Sequence, residues 1–179
     1  MKRIIFMLVL AMSAGALFAQ SVPGFPMTKK EKRKAEQEKQ YQLNKEMLEN
    51  RDFVLEADYL QNKYGHRFLV NSNINFVAVD STTAIIQIGS DYRVGANGVG
   101  GVTAKGKITR WVLKENTKQK TFYLSINVMT PIGIYDLHFS IDSSGRATAM
   151  LSGLSPGELT FEGNMVPYSE SAVYEGMSL

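Results

Sequence analysis

The chain has 179 residues, 44% of them hydrophobic, which is enough to bury one core and too few for two ordinary domains. It contains no cysteine, which excludes disulfides, thiolate metal sites, cysteine nucleophiles and a cysteine-linked lipid anchor together. The formal charge of +3 rests partly on Lys2 and Arg3, and without them 18 basic side chains face 17 acidic ones. The remaining basic excess lies in residues 28–51 while residues 52–179 are slightly acidic, a distribution that excludes a nucleic-acid-binding face on the main body.

The chain opens with "MKRIIFMLVLAMSAGALFAQ": a basic start, an apolar run from Ile4, and small residues leading to Ala19. This pattern predicts a secretory leader over residues 1–19, cut after Ala19. No later segment approaches the roughly 18 apolar residues of a membrane span, so no transmembrane segment is expected after cleavage. The expected location is outside the cytoplasm, in the periplasm of a bacterium, since an exported chain without disulfides must rest on its core alone. Residues 20–27, "QSVPGFPM", read as a linker. Thr28 then caps a charged helix over 28–51, polar all round at first and apolar later through Tyr41, Leu43, Met47 and Leu48.

From Asp52 the periodicity changes to strict alternation. "DFVLEADYL" places Phe53, Leu55, Ala57 and Tyr59 on one face and Glu56 and Asp58 on the other. "NINFVAV", "TAIIQIG", "TAKGKITRWVLK", "KTFYLSINVM", "GIYDLHFSID", "RATAMLS" and "ELTFEGNM" follow, separated by turns short enough for hairpins. The expected fold is all-β: about eight strands in an antiparallel meander over 52–167, barrel-like or a curved two-layer sheet, preceded by one N-terminal α-helix and followed by a tail, 168–179.

Three stretches imitate catalytic or binding motifs. "GVTAKGKI" matches a phosphate-binding loop through Gly101, Gly106 and Lys107 until Ile108 stands where Ser or Thr is required, and a β-type segment follows where a helix is needed. "GLSPG" matches a nucleophile elbow around Ser155, but Pro156 has no N–H for an oxyanion hole and neither His66 nor His138 follows the serine. "YDLHFSID" aligns Asp136, His138, Ser140 and Asp142 on one strand face, which reads as a solvated face before it reads as base chemistry or a metal site. No catalytic residue, metal ligand or cofactor is therefore assigned.

The charged helix together with "FVLEADYL", "INFVAVDSTTAIIQIG", "GANGVGGVTAKGKIT" and "GRATAMLS...LTFEGNM" resembles the exported domain-of-unknown-function family 4251 of Bacteroidetes, over residues 40 to 167. The resemblance implies a periplasmic or otherwise exported β-rich domain in a Gram-negative bacterium, and carries over no activity and no functional residue. From the residues themselves, the leading expectation is a non-enzymatic binding or interaction module whose partner is a small ligand or an envelope protein. An eight-stranded barrel encloses side chains only or one small ligand. If it holds a ligand, the glycine-rich excursion at 90–102 supplies a mouth and the aromatics supply walls, with Asn97, Gly98, Gly100, Gly101, Trp111 and Tyr123 as the binding candidates. Ordinary core packing is the competing role for Phe53, Tyr59, Phe76, Trp111, Phe122 and Tyr123. Two other functions stay open: a hydrolase of envelope glycans or peptides working through carboxylates and His138, and a structural protein docking through its N-terminal helix.

Overall fold

The computed structural model describes residues 27–90, 97–154 and 157–178. The expected leader, 1–19, and most of the expected linker lie outside these residues. One helix, α1 (Lys29–Asn50), precedes nine strands: β1 (Asp52–Asn62), β2 (Arg67–Leu69), β3 (Phe76–Asp80), β4 (Thr83–Ile88), β5 (Val102–Asn116), β6 (Thr121–Thr130), β7 (Gly133–Ile141), β8 (Arg146–Leu154) and β9 (Gly157–Val166).

Every neighbouring pair is antiparallel, and β1 also pairs with β9 from Val54 opposite Val166 to Asn62 opposite Leu159. That pairing closes the meander into an eight-stranded barrel and removes the open edges a flat sheet would have. The ninth strand is β2, absent from the sequence reading. It folds back on the second half of β1 through Tyr59–Leu69, Leu60–Phe68 and Gln61–Arg67, on the edge that β3 occupies along the first half.

Alternation fills the interior. Phe53, Leu55, Phe122, Leu124, Leu137 and Phe161 are fully buried there, each worth roughly 1.5–3 kcal/mol of burial. An irregularity between Ala57 and Tyr59 in the β1–β9 register changes the expected face of Tyr59. The extra residue, Asp58, lets Leu60 turn inward and sends Tyr59 outward, where the Arg67 guanidinium lies 3.7 Å from its ring centroid.

Helix α1 is started by a reciprocal cap: Glu31 N donates to Thr28 Oγ1 at 3.3 Å, and Thr28 N donates to Glu31 Oε2 at 2.8 Å. Arg51, in the left-handed region at φ 56°, stops it and turns the chain directly into β1. Residues 29–39 are exposed throughout, and only the C-terminal half of the helix docks. There Tyr41, Asn44, Met47 and Leu48 are buried across the barrel end where β1 begins and the β5–β6 and β7–β8 turns lie.

Candidate functional site

The two barrel ends are built differently. At the helix end, Tyr41 stacks on Phe122 at 5.1 Å between centroids, and Asn44 Nδ2 donates to Asp142 O at 2.9 Å. The Tyr41 hydroxyl donates to Glu115, which also receives Lys45 Nζ at 3.1 Å. The hydrogen bond to Glu115 pushes the Tyr41 phenol up to about 12, with burial and the carboxylate charge adding to it. The same hydroxyl, then Lys45, holds Glu115 below the usual carboxylate range.

At the opposite end the inward positions are aliphatic. Strand alternation points Ile86 and Ile88 of β4 inward, opposite Ala104 and Val102 of β5. With Tyr135 of β7 and Leu151 of β8 they line an apolar recess of about 70 Å³. Small side chains at 102 and 104 leave this space where larger ones would fill it. Val102 is 41% exposed at its rim, and Ile132 in the β6–β7 turn is 43% exposed at the same end. This volume lies far below the roughly 300–1,000 Å³ of pockets that enclose small molecules. It has room for an apolar tip only.

The six binding candidates from the sequence are not brought together. Asn97, Gly98, Gly100 and Gly101 lie in the β4–β5 connection at the recess end, but Asn97 is 1% exposed and committed internally. Its Oδ1 accepts from Val99 N at 3.2 Å and Gly101 N at 2.9 Å, and its Nδ2 donates to Thr103 Oγ1 at 3.1 Å. Gly98 and Gly100 take φ of 77° and 81°, and a Cβ on Gly101 would sit 2.0 Å from Ile88 O. These residues shape a tight turn. Trp111 lies within the wall towards the helix end, 6.5 Å from Phe53, with the Arg51 guanidinium 4.9 Å from its ring. Tyr123 is on the outer face, 46% exposed. Of the other aromatics, Phe53 and Phe122 face inward, while Phe76 packs on an outer wall.

The motif-like stretches are equally well placed. Lys105 and Lys107 sit inside the continuous strand β5, so no helix N-terminus meets a phosphate there. Ser155 and Pro156 lie outside the described residues, and strand β9 follows them. On the convex outer face, His138 Nδ1 lies 3.0 Å from Ser125 Oγ, Asp136 accepts from Asn127 Nδ2 at 3.0 Å, and Asp142 accepts from Ser144 N and Arg146 N within its own turn. The three form separate pairs and no triad. Among the described residues, no group of three His, Asp or Glu side chains is placed to hold a metal.

The recess escaped sequence reading because its six residues come from four strands and only barrel closure gathers them. The available signal was the small or β-branched residue at alternate inward positions, Val102 and Ala104.

The structure is similar to the crystal structure of a DUF4251 family protein from Bacteroides eggerthii DSM 20697, with a TM-score of 0.62 at 24% identity, over 74% of this chain and 90% of that one. That likeness speaks to the fold. No curated protein matches the chain significantly. The model of the domain of unknown function DUF4251 matches residues 35–165, from within the exposed half of α1 to the end of β9, and the chain belongs to that family.

Proposed function

We propose that the chain is an exported, periplasmic or envelope-associated interaction module without catalytic activity, whose barrel mouth seats an apolar group of an envelope partner. The observation that carries this reading is the recess of about 70 Å³ under a partly exposed Val102. Its size favours the tip of a partner's side chain or acyl group over an enclosed small ligand. Export is supported by the leader-like residues 1–19, and no helix among the described residues is long and apolar enough to cross a membrane. The hydrolase alternative has Asp136, His138 and Asp142 bonded apart on the outer face, and the hollow beside Asp142, lined by Ser140, Arg146, Thr148 and Glu162, includes neither His138 nor Asp136.

A photo-crosslinking residue placed at Val102, with the same residue at Tyr123 as control, tests the mouth in cells producing the full chain. Adducts from position 102 alone support it; equal adducts from both positions, or none, overturn it. The mass of the purified product tests export separately. A chain beginning at Gln20 in the envelope fraction is expected, and a full-length cytoplasmic chain sinks that half of the reading.

A second reading retains one observation. Residues 29–39 form exposed helix that Glu38 ties to Lys120 of the β5–β6 turn, a handle for a partner to grip.

A further inference from the structure

The wall formed by β1, β3 and β4 is buried on its outer face as well as its inner one. Val54, Phe76, Ala78 and Ile85 form an apolar cluster outside the barrel, and Val166 and Val173 pack against it. Their cover is the tail. After β9, Pro167 opens a single 3₁₀ turn, Tyr168–Glu170, and residues 171–178 then run across the wall.

The tail contributes few side chains to this contact. Val173 is half-buried and Gly176 buried, whereas Tyr174 and Met177 are 65% and 69% exposed. The wall reads its main chain instead. Tyr174 N donates to Asn73 O at 2.8 Å, Gln87 Nε2 donates to Tyr174 O at 2.8 Å, Gly176 N donates to Gln87 Oε1 at 2.8 Å, and Met177 N donates to Asn97 O at 2.9 Å. Gln87 is 0% exposed and its amide is oriented in advance, since Nε2 also donates to Ile74 O at 3.1 Å and Oε1 also accepts from Thr103 Oγ1 at 2.9 Å. Asn97 in turn holds Thr103. Sequence is read at a few places: the Ser171 hydroxyl donates to Glu56 Oε1 at 2.6 Å, and Ser178 Oγ accepts from Lys105 N at 3.3 Å. A Cβ at position 176 would lie 2.4 Å from Asn97 O, so glycine is required, and Glu175 pairs with Lys105 at 2.9 Å.

The division of labour is that of a receptor and a peptide. One side holds the buried apolar surface and fixed donors and acceptors; the other offers an extended backbone, one valine, one carboxylate, one glycine and two serine hydroxyls. We propose that the outer wall of β1, β3, β4 and the start of β5 is a recognition groove for an extended peptide. Its ligand is the carboxy-terminal segment, which a second copy of this chain supplies when the groove's own tail swings away at Pro167. A second copy's tail fits by identity, and removal of the tail strands two bonds of a buried amide, so the emptied groove favours refilling.

The test uses the full chain and a labelled synthetic peptide of residues 170–179. In the wild-type chain the peptide must displace the resident tail. The full chain carrying Gly176→Ala, whose own tail clashes with Asn97 O, is expected to bind the peptide at least tenfold more tightly by fluorescence anisotropy. A peptide carrying alanine at the position of Gly176 is expected not to bind. The full chain with Glu175→Lys, a change at an exposed ion pair that leaves the core untouched, should also bind the normal peptide severalfold more tightly than wild type. Absence of saturable binding to the folded Glu175→Lys chain, or equal binding of the alanine peptide, overturns the proposal.

Discussion

The helix end and the mouth of the barrel face the same problem, an open ring of strand termini, and answer it in opposite ways. At the helix end a separate element brings Leu48 and Met47 into the core and satisfies the polar groups it buries, Asn44 against Asp142 O and Tyr41 against Glu115. At the mouth nothing comparable lies over Val102 among the described residues, and a small apolar recess is left beneath it. Closure of one end supplies stability, whereas incompleteness at the other leaves a surface with something still to gain from contact.

The contrast breaks if substitutions at the two ends cost the same. Leu48→Ala, at a fully buried position, is expected to lower stability by about 2–5 kcal/mol in urea denaturation. Asn44→Ala is expected to cost about 0.5–1.5 kcal/mol, because it removes one of two donors to Asp142 O, which keeps Gly145 N, and the acceptor of Gln40 Nε2. A smaller and pH-dependent effect belongs to Tyr41 and Glu115. Glu115 has its folded pKa lowered by the Tyr41 hydroxyl and Lys45, so its contribution is present above the ordinary carboxylate pKa and is lost as pH falls through the lowered value. Tyr41 has its folded pKa raised to about 12, so its contribution is full below the ordinary phenol range and is lost as pH rises through about 12. Melting temperature measured against pH should therefore fall at both extremes, and Tyr41→Phe should flatten both limbs. Smallest is Val102→Ser, expected to change stability by only about 0.5 kcal/mol. A loss near that of Leu48→Ala would make the mouth another part of the core.

The sequence revealed the antiparallel meander, with a barrel and a curved two-layer sheet both left open, because alternation recurs in segment after segment from Asp52 to Met165 and most of the turns are short. It also revealed the helix, through Thr28 and the straight-chain residues after it. Three features were not legible for definite reasons. The inserted Asp58 reverses the faces of Tyr59 and Leu60, and no propensity marks a bulge there. The role of Asn97 depends on Gln87 and Thr103, which sit on neighbouring strands, so its burial is a tertiary fact. The tail lacks a strong hydrophobic pattern because the wall recognises its backbone, which all sequences share.

The pairing of β1 with β9 gives the molecule a particular order of assembly. The first strand made waits for the last, and the helix waits for Phe122 and Asp142, so neither local segment can settle by itself. Such distant partners impose a large loop-closure cost before any reward, and refolding from denaturant should be slow and cooperative, on the millisecond-to-second scale of barrels with high contact order. A chain stopped before β9 would expose both the unpaired edge of β1 and the apolar inner wall, with aggregation as its natural fate.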